Sequence, residues 1–226
     1  MARTKALVEF VRDQLAALAD PVRAAGIAAY VKSTIPCLGV RVPELRAIAR
    51  RAARSFPPAD RAAYEAQVRA VWAMPHREER HLAVAIARVN RGFVDAASMG
   101  LFEQLIREGA WWDFVDEIAT HLVGPALLEE PDLVWPIVDR WIDDDDMWIR
   151  RSAIICQIGA GPRTDAERLF AYCRARAHER EFFVRKAIGW ALRQYARTSP
   201  GAVRAFLARH GDELSPLSRR EASKHL

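Results

Sequence analysis

Only three cysteines occur in the 226 residues, Cys37, Cys156 and Cys173, far apart and never as a C-x-x-C pair. Thiolates alone therefore build neither a structural zinc site nor a four-cysteine iron–sulfur cluster, and a count this odd and sparse fits a reducing compartment better than a disulfide framework. No metal and no cofactor is expected. No run approaches the roughly 18 apolar residues of a membrane helix. The opening Met1-Ala2-Arg3-Thr4-Lys5 leads into Glu9, Arg12 and Asp13, without the apolar core of a signal peptide. A soluble, cytoplasmic protein with no membrane partner is the expectation. Strand-type alternation is nearly missing. Lysine is scarce too, at 4 against 30 arginines, and arginine is the better bidentate phosphate ligand.

What is present is an uneven charge distribution. Residues 41–91 hold 11 Lys/Arg against 5 Asp/Glu, residues 174–226 hold 12 against 5, and residues 92–146 hold 2 against 14. Two basic arms flank an acidic middle. They are read either as solvated helix faces or as a polyanion-binding surface that meets phosphates at both ends.

Hydrophobic residues recur at helical spacing, as in Leu7-Phe10-Val11-Leu15-Leu18 and Leu45-Ile48-Ala49-Ala52. Pro21, Pro43, Pro131, Pro200 and Pro216 fall where helices should start rather than inside them. About twelve helices joined by short turns are expected, in one domain spanning residues 1–226. Asp116, Arg151 and Lys186 lie 35 residues apart in comparable contexts. A period of that size with two helices per unit marks an α-solenoid of HEAT-like repeats, curved around a concave surface. Equivalent positions should align, placing these three residues in one row. The run ending at Leu226 reads as an unfinished helix with a short tail expected beyond it.

Helix faces sort the seven tryptophans. Trp111, Val115 and Ile118 form an apolar stripe, whereas Trp112 shares a face with Asp116 at i+4. Ile188, Leu192 and Tyr195 form a second stripe, whereas Trp190 faces the same way as Lys186, Arg193 and Arg197. Trp148 stands at i−3 from Arg151, and Ile149, Ala153 and Cys156 supply the core stripe of that repeat. Each tryptophan taken singly is compatible with core packing or a surface cation–π pair. On consecutive repeats, rings flanked by cations suit a nucleic-acid backbone.

The segments Ala110-Trp-Trp-Asp-Phe-Val-Asp-Glu-Ile, Trp148-Ile-Arg-Arg-Ser-Ala-Ile and Glu181-Phe-Phe-Val-Arg-Lys-Ala-Ile-Gly-Trp-Ala-Leu-Arg-Gln-Tyr-Ala resemble those of the AlkD-type alkylpurine DNA glycosylases, as does Pro216-Leu-Ser-Arg-Arg-Glu-Ala-Ser-Lys-His. The resemblance covers essentially the whole chain. It implies a catalytic aspartate at Asp116, tryptophans beside the damaged nucleotide at Trp112 and Trp190, and the motif arginine at Arg151. The family's backbone-gripping loop resembles Gly39–Arg46, where Arg41 and Val42 depart from the family's polar pair. Expected DNA contacts are Trp148, Lys186, Arg193, Arg197, Arg41, Arg46, Tyr30, Arg219 and Arg220. Tyr30, Phe182 and Phe183 match family positions near the groove, with core packing the equal alternative for each.

The implied reaction is hydrolysis of the N-glycosidic bond of cationic N3- or N7-alkylated purines in double-stranded DNA by a monomeric, monofunctional enzyme. Such a base leaves neutral and needs no proton, so the chemistry reduces to stabilising an oxocarbenium-like sugar. One carboxylate opposes that charge and orients water, and indole faces add cation–π stabilisation that grows in the transition state. Arg151 would hold a phosphate or keep Asp116 ionised. No flipped-base pocket or wedge loop is evident, so recognition through the backbone is expected. A lyase acting through a Lys186 Schiff base is the weaker chemistry. The rival class is a non-catalytic HEAT-repeat module for DNA structures or a protein partner. An RNA reader would need the same polar positions in every unit, which residues 92–146 lack.

Overall fold

The computed structural model describes residues 2–226, the side chain of His225 apart, and among them every regular element is helical and none is a strand. The chain divides into two compact units, one reaching to Val94 and one running from Asp95 to Leu226. No helix among the described residues is long and apolar enough to cross a membrane.

The first unit contains α1 (Ala2–Ala16), α2 (Pro21–Val31), α3 (Val42–Ser55), α4 (Arg61–Trp72) and α5 (Arg77–Val89). The i, i+4 stripe of α1 is buried at Leu7, Val11 and Leu15, and that of α3 at Leu45, Ile48, Ala49 and Ala52. Each of the leucines, the valine and the isoleucine contributes about 1.5–3 kcal/mol by leaving water. The stripe read through Leu18 ends earlier: α1 stops at Ala16, and Leu18 lies exposed in the following turn. The loop between α2 and α3 is tied down by α5. The buried Glu78 carboxylate accepts from the backbone N–H groups of Leu38 and Gly39, at 2.9 and 2.7 Å. Gly39 has φ +83°, and a Cβ there would lie 2.2 Å from the Asp20 carbonyl oxygen, so only glycine fits.

The second unit is a stack of helix pairs. It contains α6 (Met99–Gly109), α7 (Trp112–Ile118), α8 (Gly124–Glu129), α9 (Pro131–Trp141), α10 (Met147–Ile155), α11 (Ala166–Ala175), α12 (Phe182–Ala196), α13 (Pro200–His210) and α14 (Pro216–Ala222). Helices α7, α10, α12 and α14 pack consecutively side by side. Between them in sequence come α9, α11 and α13, each packed on an adjacent member of that row. This is the repeat order expected from the 35-residue spacing.

Pro21, Pro131, Pro200 and Pro216 stand at the first position of their helices and Pro43 at the second. Proline is not confined to helix starts, however, because Pro136 lies inside α9. Pro125 follows a five-residue π-helical stretch, Ala119–Val123, that joins α7 to α8. The wider turn absorbs the missing proline N–H and keeps one helical path from Trp112 to Glu129.

Much of the acidic middle serves as caps and ion-pair partners within this unit. Arg107 donates to Glu103 and Asp144, Arg150 to Glu179 and to the Asp144 and Asp145 carbonyls, and the Asp146 carboxylate caps α10 at the Trp148 N–H. Asp139 accepts from Arg168 and Tyr172.

Candidate active site

The turn from α6 into α7 is tight. Ala110 takes a left-handed φ of 41° with its N–H on the Ile106 carbonyl, and Trp111 is extended at the N-cap of α7. A non-glycine residue in that region carries strain on the order of 1 kcal/mol. The turn places Trp112 at the first helical position, one turn before Asp116. From the neighbouring α10, Arg151 reaches across: its Nε donates to Asp116 Oδ1 at 2.7 Å and its Nη2 to Oδ2 at 2.8 Å. The remaining Nη1 donates to the Phe183 carbonyl on α12. The bidentate pair is nearly sealed, with the Asp116 side chain 18% exposed and that of Arg151 6%.

Burial pushes the Asp116 carboxyl above the ordinary carboxylate range. The Arg151 guanidinium pulls the other way, and Asp113 and Glu117 add a smaller upward push. The Asp116 backbone carbonyl accepts from Thr120 Oγ1 at 2.6 Å, a bond made in the π-helical stretch.

Trp190 joins this pair from α12. The Arg151 guanidinium stands 5.9 Å from its ring centroid, a cation–π contact linking the second and third helices of the row. Trp112 and Trp190 are both partly exposed. Trp148 is not. Expected at the DNA surface, it is only 5% exposed, with its ring 4.9 Å from Phe183 and 6.0 Å from Trp111. Its own helix explains this, because position 148 faces the gap between α7 and α12, where three rings close on one another. Trp111, read as a stripe residue of α7, is instead the half-buried N-cap, and its indole N–H has no hydrogen-bond partner among the described residues. Val115 and Ile118 are fully buried as expected.

Two of the three cations expected around Trp190, Lys186 and Arg193, are engaged with Glu221, a residue not among those expected from the sequence. Glu221 on α14 accepts from Arg193 Nη1 at 2.6 Å and Lys224 Nζ at 2.7 Å, and stands 3.5 Å from Lys186 Nζ. Extending the 35-residue period one step beyond Lys186 lands on Glu221, a signal available in the chain. The row thus runs Asp116, Arg151, Lys186, Glu221, with an acid at each end, two cations between, and the four paired two by two. Arg197 and Arg220 are exposed, and Arg219 donates to Asp212 at 2.7 Å. Phe182 is exposed on α12, while Phe183 is half-buried. In the first unit Tyr30, Arg41 and Arg46 are all exposed, and the Glu44 carboxylate accepts from the Arg41 N–H at 2.8 Å to begin α3. Among the described residues no three His, Cys, Asp or Glu side chains converge as metal ligands.

The all-helical fold of this chain and its sequence profile are those of a repair-protein family. The chain belongs to the DNA alkylation repair enzyme family, whose sequence profile matches residues 11–226. A solved structure described as a predicted DNA alkylation repair enzyme from Enterococcus faecalis is similar, with a TM-score of 0.85 and 27% identity, covering 92% of this chain and 96% of that one. The smu.31 protein of Streptococcus mutans UA159 shares the fold, at a TM-score of 0.62 and 17% identity, over 79% of this chain and 90% of that one. No curated protein sequence matches.

Proposed function

We propose that this chain is a monofunctional DNA glycosylase that hydrolyses the N-glycosidic bond of cationic N3- or N7-alkylated purines in double-stranded DNA. The observation that carries the reading is the Asp116 carboxylate, one helical turn from Trp112 and held by two nitrogens of an Arg151 guanidinium that also meets the Trp190 ring.

In the reaction the C1′–N bond breaks and its electron pair neutralises the cationic base, so no acid is required. Positive charge passes to the sugar, where Asp116 opposes it. A water oxygen then bonds to C1′ and loses its proton to the carboxylate or to solvent. Arg151 leaves each Asp116 oxygen a further lone pair for water while holding the carboxylate in one orientation. The indoles of Trp112 and Trp190 stabilise the developing cation more than the ground state. Lys186 is engaged by Glu221 at 3.5 Å, which favours a backbone-contact role over a Schiff-base nucleophile. A protein-binding scaffold has less support, since it has no use for a carboxylate held in one orientation beside two partly exposed indoles, and a buried arginine–aspartate pair is a weak source of stability.

The test is single-turnover release of free 7-methylguanine from methylated duplex. Asp116→Asn should lower the rate by about 10²–10³ while leaving duplex affinity within a few-fold, because the charge matters chiefly as the oxocarbenium forms. Excision by Asp116→Asn at the wild-type rate would remove the residue from this role, and no excision by the wild type would remove the activity.

A further inference from the structure

Glu221 is buried, its side chain 7% exposed, yet it serves three cations that reach outward. Lys186, Arg193 and Lys224 have side chains 41%, 23% and 48% exposed. Three cations around one carboxylate leave two positive charges in excess. Without the carboxylate beneath them the three would repel one another and turn separately into solvent. With it they are pre-assembled at one spot on the α12 face that also carries Trp190.

The approach of α14 that makes this possible is specified by the neighbouring glycine. A Cβ on Gly189 would lie 2.5 Å from Glu221 Cβ and 2.8 Å from the Ser218 carbonyl oxygen. Ser218 Oγ in turn donates to the Arg185 carbonyl at 2.8 Å, pinning the two helices in that register. Arg193 lies one turn beyond Trp190, and Trp190 contacts Arg151, so the cluster continues directly from the aspartate–arginine pair.

We propose that Glu221 is a positioning residue that gathers Lys186, Arg193 and Lys224 into a clamp for a single phosphodiester of duplex DNA. The proposal rests on the DNA-binding part of the function above but not on the glycosylase chemistry. A carboxylate that merely neutralised its neighbours would weaken DNA binding by simple repulsion. One that assembles them strengthens it, because a phosphate then meets three converging donors rather than three mobile side chains.

The two roles predict opposite signs, and equilibrium binding of undamaged duplex over a salt series separates them. Glu221→Gln removes a negative charge from the DNA-facing side, yet binding should become roughly five-fold weaker at moderate salt with a flatter log–log salt slope. Lys224→Ala, at an exposed position beyond α14, should weaken binding roughly three-fold and flatten the slope by about 0.9. Tighter binding by Glu221→Gln, or an unchanged slope for Lys224→Ala, would overturn the clamp. Should Glu221→Gln fail to fold, the Lys224 variant decides alone. A wild type that binds duplex with a steep salt dependence but excises nothing would sink the glycosylase reading and leave the clamp to be judged on these slopes. A wild type with no affinity for duplex would sink both.

Discussion

At Asp116, burial and the Arg151 guanidinium act in opposite directions on the same carboxyl, and burial is the larger influence. The rate should therefore depend on pH in a definite way. The ionised form is the working one, so excision falls as pH falls, and the midpoint of that acid limb should lie above the usual Asp value of about 3.9. Single-turnover rates from about pH 4 to pH 8 on one N7-methylated duplex would measure it. A midpoint at or below the ordinary value would mean that another group governs the limb. The other half of the pair carries a stability prediction. Arg151→Ala leaves a buried, uncompensated carboxylate and should destabilise the fold by about 3–5 kcal/mol in denaturant melts. Asp116→Asn keeps an acceptor for the guanidinium and should cost less.

Between elements, α12 packs tightly on α14 at Gly189. A methyl group there meets backbone and Cβ atoms rather than a flexible side-chain tip, so α14 must shift if alanine is introduced. Gly189→Ala should therefore raise amide hydrogen exchange throughout Pro216–Ala222 while leaving α3 and α5 of the first unit unchanged. It should also reduce excision, because Trp190 follows immediately on α12. Exchange confined to the immediate neighbours of residue 189 would show that α14 accommodates the methyl without moving. The π-helical join between α7 and α8 is a second place where an element is shaped around the site. It reconciles Pro125 with a continuous helix and brings Thr120 onto the Asp116 carbonyl.

For the molecule as a whole, the question is what the enzyme senses in damaged DNA. If it holds the backbone and stabilises charge at the sugar, the size of the alkyl group matters little and its charge matters greatly. Bulky cationic N3 or N7 adducts should be released at rates comparable to methyl adducts. Hypoxanthine, whose departure needs a proton, should be a poor substrate. Trp112→Ala and Trp190→Ala should slow both cationic classes together, since the rings act on the sugar. A panel of defined lesions measured under single-turnover conditions tests this. Efficient hypoxanthine release, or rejection of every bulky cationic adduct, would point to a base pocket instead.

Periodicity alone carried the helical class, the buried stripes of α3 and of α7 from Val115 to Ile118, and the alignment of Asp116 with Arg151. Those properties follow from the geometry of one helix and one repeat length, both legible in a string of residues. Three things depended on neighbours that a single helix does not reveal. Trp148 sits at a position whose exposure depends on how far α7 and α12 stand apart, and they close over it. Lys186 and Arg193 share a face with Trp190 as read, but their engagement by Glu221 required α14 to arrive against Gly189. The burial that raises the Asp116 carboxyl against its own ion pair is likewise a property of packed helices. Local sequence sets which face a side chain takes; only tertiary packing decides whether that face meets water, another ring or an opposite charge.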